Sequence, residues 1–271
     1  MGTTVESAQL AAGSDEDRLV VTDGAVIVLD DATAHDPAMP SAGAYVDFLA
    51  ADLARSIGES SSLADILARS IARAVDVLGI EPGAAPSSTV ALVRIEPDVV
   101  DVLVLGDSSV IVGLRTGAVE VHTDDRLPRL QLPEADLFRR FLADGQGYSG
   151  RHQKILQELQ VAERARRNRP DGYWIAEADP RAADHALRVR YPRDQVVWII
   201  AATDGAFDLV PTLGVSWPEV ANMSTRQLEQ LLRDVHIWEA EVDPDGQALP
   251  RAKRHDDKTV AVVRIADRTE S

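Results

Sequence analysis

The 271-residue sequence contains no cysteine and only three lysines, Lys154, Lys253 and Lys258. The absence of cysteine excludes a thiol nucleophile, a disulfide framework and a thiolate zinc site, and it is consistent with a reducing compartment. Aromatic residues make up 4% of the chain, and no apolar run approaches the roughly 20 residues that a membrane-spanning helix needs. The N-terminus lacks the basic and apolar regions of a secretory signal. We therefore expect a cytoplasmic protein that does not associate with a membrane.

Negative charge dominates the composition. The 44 acidic residues outnumber the 28 basic ones and give a formal net charge of -16. Such a surface repels phosphate backbones, so we expect no nucleic-acid partner. The six histidines are scattered without the spacing of a zinc site. The acidic excess is typical of solvated surface, and a carboxylate metal site would add to it.

The order of the predicted elements indicates an α+β protein. Residues 18–30 predict two strands around the turn Thr22-Asp23-Gly24. Ser41 and Ser62 are predicted N-caps of two successive amphipathic helices, a pair suited to covering one sheet. No linker divides the chain, so we expect a single layered domain over residues 1–271. Further strands are predicted at 88–95, 99–105, 109–113, 119–122, 196–203 and 259–265, with helical segments at 133–170 and 225–238.

Acidic residues stand at the ends of several strongly apolar predicted strands. Carboxylates at strand ends can converge at one edge of a sheet, and clustered carboxylates without His or Cys suit hard cations such as Mg²⁺ or Mn²⁺. The cations would also offset the repulsion between like charges. Taken singly, each Asp-Gly or Asp-Ser pair is also an ordinary turn that closes a strand. The residues are Asp30 after VIVL, Asp107 after VLVLG, Asp204 after WIIAAT, Asp256 and Asp257 before the last strand, and Glu16 and Asp17 before the first hairpin strand.

The order of these motifs resembles that of a known family. The segments Asp15-Glu16-Asp17, VIVLDD, PSSTVALVRI, VLVLGDSSVIV, IIAATDGAFDLV and DDKTVAVVRI follow one another over residues of about 15 to 265. Together they look like the PP2C-type metal-dependent protein phosphatases, and the chain resembles a divergent bacterial member. The resemblance implies a four-layer αββα sandwich of two antiparallel sheets flanked by helices. It also implies a variable helical flap-type insertion at about residues 133–195.

The resemblance further implies a centre for two Mg²⁺ or Mn²⁺ ions between the sheets, with a third ion in some members. Asp30 would bridge the two ions, and Asp31 would supply a backbone carbonyl. Glu16 would hold a metal-bound water and, with Asp17 and Asp30, belong to the catalytic residues. Carried over to this chain, the metal ligands are Asp17, Asp30, Asp31, Asp204 and Asp256, with Asp107 and Asp208 at the accessory positions.

The activity implied by the resemblance is hydrolysis of phosphomonoesters, in particular phosphoserine and phosphothreonine in proteins. In the mechanism that the resemblance implies, a metal-bridging hydroxide would attack the phosphorus, and the ions would lower the pKa of the water and stabilise the developing charge. No protein nucleophile is needed, in agreement with the absence of cysteine. The expected partners are a phosphoprotein substrate and a regulatory protein of bacterial signalling.

Three positions depart from the family pattern. Asp31 and Ala32 replace residues of a glycine-rich turn, and eukaryotic members often have the presumed acid, a histidine, where Ala32 stands. Ala12 occupies the position of a phosphate-binding arginine, so that the metals alone, or another arginine such as Arg18, would hold the phosphate. These departures favour a second hypothesis, a PP2C-like regulatory or binding module with weak or no turnover.

Other features carry less functional meaning. N-terminal nucleophile hydrolases share the αββα layers, but their chemistry needs an early lysine, and the first lysine here is Lys154. His35 and His255 are interpreted as surface or loop histidines. The arginine-rich segment from Arg164 to Arg169 ends a predicted helix and is interpreted as a solvated, dipole-favoured helix end.

Overall fold

Two antiparallel five-stranded sheets form the centre of the molecule. The computed structural model describes residues 3–13, 17–32 and 41–266, with only the backbone of Asp31 and Ala32. The strand order is β1-β10-β9-β6-β7 in the first sheet and β2-β3-β4-β5-β8 in the second. The strands are β1 (Thr3–Leu10), β2 (Arg18–Thr22), β3 (Ala25–Ala32), β4 (Ser87–Ile95), β5 (Val99–Leu105), β6 (Ser109–Leu114), β7 (Val119–Thr123), β8 (Leu187–Pro192), β9 (Val196–Ala202) and β10 (Lys258–Ile265).

Helices cover the outer face of each sheet. The helices are α1 (Ala42–Ser56), α2 (Leu63–Leu78), α3 (Arg126–Arg129), α4 (Pro133–Ala143), α5 (Gly150–Arg164), α6 (Asp204–Phe207), α7 (Trp217–Val220) and α8 (Thr225–Ile237). The first two pack on the second sheet, and α8 packs on the first sheet. Helices α4 and α5 pack against each other around a small separate cluster. The predicted αββα sandwich is confirmed. None of the helices in the described ranges is long and apolar enough to cross a bilayer.

Burial on both faces explains the uninterrupted apolar runs of the strands. In β3, Ile27 and Leu29 face the helices α1 and α2, whereas Val26 and Val28 face the other sheet. The same alternation holds in β10, where Val262 faces α8 and Val263 faces the space between the sheets. Because side chains alternate along a strand, a strand with two covered faces needs apolar residues at successive positions.

Local capping places the two covering helices as the sequence predicts. The Ser41 hydroxyl accepts a hydrogen bond from the Ala44 amide at 3.2 Å, and the Ser62 hydroxyl accepts one from the Asp65 amide at 3.1 Å. Gly79 ends α2 with φ of 65°, a left-handed conformation that favours glycine. These caps satisfy amides that would otherwise lack partners at the helix ends.

Two strands have no counterpart in the sequence predictions. Strand β1 pairs with β10 along its whole length, although Thr3–Leu10 is largely polar and lies at a sheet edge. Strand β8 pairs with β5 at the edge of the second sheet. Its apolar residues alternate with arginines, a signal obscured by the assignment of residues 133–195 to a helical insertion. The long helices of that stretch end at Arg164, and its last part belongs to the sheet.

Candidate metal centre

The strand registers bring the acidic strand ends to one edge of the sandwich. Leu29 pairs with Arg18, so Asp30 and Asp17 are the next positions on adjacent strands. Ala202 pairs with Val260 in the neighbouring sheet, which places Asp204 and Asp256 at corresponding ends of β9 and β10. Asp30 continues the alternation of Val26 and Val28 and therefore points between the sheets.

The carboxyl groups of these residues are close enough to perturb one another. Asp30 lies within hydrogen-bond reach of Asp204. Burial, followed by the charges of Asp204, Asp17 and Asp256, raises the pKa of Asp30 well above its ordinary value. Burial raises the pKa of Asp17 to about 7, with a further contribution from Asp204. Burial and Asp204 also raise the pKa of Asp256. The site therefore holds more negative charge than the protein alone neutralises.

Two threonines orient Asp17. The hydroxyls of Thr203 and Thr259 donate to Asp17 Oδ2 at 2.9 and 2.7 Å, and the Thr259 amide donates to Thr203 Oγ1 at 3.0 Å. Asp17 Oδ1 is buried and has no hydrogen-bond partner among the described residues. A buried carboxylate oxygen without a partner is unfavourable in a protein interior unless a cation or water satisfies it. Sequence reasoning missed both threonines, although each stands within a quoted motif.

Gly205 allows the loop of Asp204 to pack against that of Asp256. The Gly205 amide donates to Asp204 Oδ1 at 2.6 Å. A Cβ atom at this position would lie 2.2 Å from the backbone oxygen of Asp257. The glycine of the T-D-G motif is thus required by close approach of two backbone segments.

A Gly205→Ala variant is expected to be destabilised by about 1–3 kcal/mol because the added methyl group displaces the Asp257 backbone. Urea unfolding followed by circular dichroism measures the change. Gly58→Ala is the matched control, since no atom lies within 4 Å of a Cβ there. Equal unfolding midpoints for the two variants would contradict this explanation of Gly205.

Asp107 and Asp208 extend the acidic cluster. Gly106, with φ of 81°, turns the chain after β5 and carries Asp107 into the cleft. Burial, with Asp204 as the next contribution, raises the pKa of Asp107 to about 7. Although the Asp208 side chain is exposed to solvent, the surrounding protein and Asp204 raise its pKa to about 6. The charge of Glu163 on α5, a residue that sequence reasoning missed, also raises the pKa of Asp107. Burial raises the pKa of Glu163 itself to about 7.

A cleft of about 910 Å³ opens over Asp30, Asp107, Asp204 and Asp256. Its wall is formed by α5 and the segment that follows it. The wall residues used below are Val161, Arg164, Arg167, Arg169, Trp174 and Ile175. Lys253 also lines the cleft, and its ammonium lies 3.2 Å from Asp256 Oδ1. Three arginines of this segment thus line the same cleft as the acidic residues, in contrast to the interpretation of the segment as a solvated helix end.

A second group of possible ligands lies behind Asp256. Ligand atoms of His236, Glu239 and His255 lie within 4.8 Å of one another. The ammonium of Lys258 is 2.8 Å from Glu239 Oε2, however, and it also donates to the Asp256 backbone oxygen at 2.7 Å. Because Lys258 already neutralises Glu239, this cluster is better described as a support for the Asp256 loop than as a metal site.

The donor set fits hard divalent cations. Its side-chain ligands are carboxylates, the type that Mg²⁺ and Mn²⁺ prefer, and the unpartnered Asp17 Oδ1 offers a ready ligand atom. Burial and, after it, repulsion by neighbouring carboxylates raise the pKa of Asp30, and cations bound here would offset both effects.

Comparison with known proteins gives matches in structure only. No protein-family model and no curated protein matches the sequence. Among solved structures, PppA, a regulatory component of the T6SS in Pseudomonas aeruginosa, matches over 97% of both chains with a TM-score of 0.56 and 14% identity. The catalytic domain of the serine/threonine phosphatase PstP, in complex with two manganese ions, matches over 98% of this chain and 99% of its own, with a TM-score of 0.54 and 14% identity. Stp1 from Staphylococcus aureus matches over 98% and 96%, with a TM-score of 0.58 and 13% identity.

The chain has the PP2C fold. The resemblance found in the sequence is therefore confirmed for the fold, over nearly the whole chain, despite the low identity. Two residues considered in the sequence analysis, Glu16 and His35, lie outside the residues that the structure describes. Asp31 is described by its backbone, which pairs with Ser88 in the sheet.

The residues suggested as substitutes for missing PP2C groups have other partners. Arg18 Nε forms an ion pair with Asp47 at 2.6 Å and its Nη1 donates to the Asp17 backbone oxygen at 2.9 Å, but Arg18 does not line the cleft. The His255 ring contacts Glu239 at 3.1 Å. The Ala12 amide donates to Asp257 Oδ1 at 2.6 Å, so its backbone is tied to the site while its side chain offers no charge. In the described part of the chain, no histidine lines the cleft.

Proposed function

We propose that the chain is a metal-dependent phosphatase that hydrolyses phosphomonoesters, with phosphoserine and phosphothreonine in proteins as its substrates. The observation that carries the proposal is the meeting of four strand-end carboxylates, one of them with a buried oxygen that has no partner among the described residues. The fold shared with serine/threonine phosphatases, one of them described with two manganese ions, supports the same conclusion.

Each residue of the proposed site has a distinct task. Asp30, which interacts with Asp204, Asp17 and Asp256, would be the central carboxylate holding Mg²⁺ or Mn²⁺, while Thr203 and Thr259 hold Asp17 in a fixed orientation. The remaining ligands would be Asp204, Asp256 and the Asp31 carbonyl, with Asp107 and Asp208 at an accessory third ion and Glu16 on a water. When bound, the ions lower the pKa of water and stabilise charge on the phosphoryl oxygens.

The walls of the cleft would complete the reaction site. Trp174 and Ile175 line one side of the cleft. A bound substrate that displaced water from this side would strengthen the electrostatic interactions inside the site. No side chain is required as a nucleophile.

Hydrolysis of p-nitrophenyl phosphate tests the proposal. The wild-type chain is expected to hydrolyse it with Mn²⁺ or Mg²⁺ and to stop when a chelator is added, and the Asp204→Ala variant controls for a contaminating phosphatase. Calorimetry with Mn²⁺ measures binding independently of turnover. Metal binding without hydrolysis would favour the second hypothesis, a regulatory module, which Ala12 and Ala32 motivate. The absence of both would remove the metal-centre proposal.

A further inference from the structure

The cleft carries two arginines whose charge has no partner within the described part of the chain. Arg164 and Arg169 line the cleft, and neither side chain forms an ion pair or a hydrogen bond there. Neighbouring arginines are paired: Arg166 with Asp171 at 3.3 Å and Arg167 with Glu177 at 3.2 Å. The net charge of -16 shows that the chain has more carboxylates than basic groups, yet these two guanidinium groups have no carboxylate partner among the described residues. Their charge is available to a ligand.

Several contacts fix the conformation of the segment that carries these arginines. The buried pair of Arg167 and Glu177 anchors it, and the Asn168 amide donates to the Tyr173 backbone oxygen at 2.7 Å. The Asn168 side chain accepts from the Ile175 amide at 2.9 Å. A Cβ at Gly172 would lie 1.8 Å from the Arg166 backbone oxygen, so the turn is closely packed. A rigid segment presents its charges to a ligand with little loss of entropy.

The rest of the cleft surface indicates which kind of ligand the two arginines would bind. The floor is acidic and repels anions unless cations occupy it, whereas the wall combines the two guanidinium groups with the apolar side chains of Val161 and Ile175. Such a wall suits an extended peptide with acidic side chains, since guanidinium groups bind carboxylates with charge-assisted hydrogen bonds. Elsewhere the strongly acidic surface repels this kind of ligand.

We propose that Arg164 and Arg169 form a specificity wall that selects phosphopeptides with acidic residues beside the phosphorylated residue. This inference rests on the proposed phosphatase function. It assigns the substrate phosphate to the metal floor and the flanking carboxylates to the two arginines.

Steady-state hydrolysis of three substrates tests this assignment in the Mn²⁺-loaded protein. The substrates are p-nitrophenyl phosphate, a phosphothreonine peptide with acidic flanks, and the same peptide with neutral flanks. In the double variant R164Q/R169Q, the ratio of kcat/KM for the acidic peptide to that for the neutral peptide is expected to fall about 10- to 100-fold, the effect of losing hydrogen bonds to charged groups. The matched control is R166Q, whose arginine does not line the cleft.

The outcomes separate this inference from the function on which it rests. Retention of the acidic preference in R164Q/R169Q overturns the specificity wall while leaving the phosphatase intact. An equal fall for all three substrates also overturns it, because the arginines would then bind the phosphate itself. If the wild-type chain hydrolyses none of the three substrates, the proposed phosphatase function itself is contradicted. A circular dichroism melt like that of the wild type shows that the variant is folded.

Discussion

An Asp30→Asn variant is expected to lose metal-dependent hydrolysis and yet, in the presence of a chelator, to be more stable than the wild-type chain. In the metal-free protein, Asp30 is surrounded by Asp204, Asp17 and Asp256, and burial adds to the cost of its charge. Asparagine keeps the shape and removes the charge. Substitutions that relieve such functional strain commonly stabilise a protein by about 0.5–2 kcal/mol.

The expected stabilisation by Mn²⁺ is large in the wild-type chain and small in the variant. A ligand that binds only the native state stabilises it by about 2.7 kcal/mol at a concentration about 100 times its dissociation constant. The wild-type chain should show this gain in a thermal or urea titration, and Asp30→Asn should lose most of it. Asp76→Asn, an exposed change on α2 that removes the same charge, is the matched control. A variant that is less stable in chelator, or that keeps its full response to Mn²⁺, would contradict the role of Asp30.

The pH dependence of the same variant provides a second readout. Asp17 ionises at a pKa of about 7 in the folded protein against an ordinary value of 3.8, and the pKa of Asp30 is raised in the same direction. A carboxyl that keeps its proton longer in the folded state contributes stability below about pH 4, and this contribution is lost as the pH rises through the folded pKa. The stability advantage of Asp30→Asn in chelator should therefore grow between about pH 4 and pH 7.

The sequence predicts those parts of the site that lie at strand ends. Asp30, Asp204 and Asp256 could be found because each adjoins an apolar run, and antiparallel pairing carries such ends to shared edges. Thr203 and Thr259 stand in the same motifs, but their hydrogen bonds to Asp17 depend on the approach of the two sheets. No local pattern encodes that approach.

The specificity wall of Arg164 and Arg169 shows a different limit of sequence reasoning. The pattern around Arg164 predicts a helix end, and charged residues there are normally solvated. Its place over the cleft depends on the packing of α4 and α5 and on the anchoring pair of Arg167 and Glu177. Strand β1 was missed for a related reason, since a mostly polar edge strand is defined by its partner β10.

A Glu239→Ala variant is expected to lose about 3–5 kcal/mol of stability, because it leaves the charge of Lys258 buried without its partner. The two side chains are completely buried, with Lys258 Nζ 2.8 Å from Glu239 Oε2. Equilibrium urea unfolding measures the loss. Glu229→Ala on α8 is the matched control, since its ion pair with Arg233 is exposed and long at 3.9 Å, and it should change stability by no more than about 0.5 kcal/mol.

A double variant separates the effect of the unpaired charge from the effect of the lost side-chain volume. Glu239→Leu combined with Lys258→Met removes both charges at once, and such replacements of buried pairs are often neutral or stabilising. Stability is then expected to recover, whereas Mn²⁺ affinity is expected to fall below that of the wild-type chain, because Lys258 also donates to the Asp256 backbone oxygen and so fixes the loop of a proposed ligand. Wild-type Mn²⁺ affinity in the double variant would show that the Asp256 loop holds its position without this support.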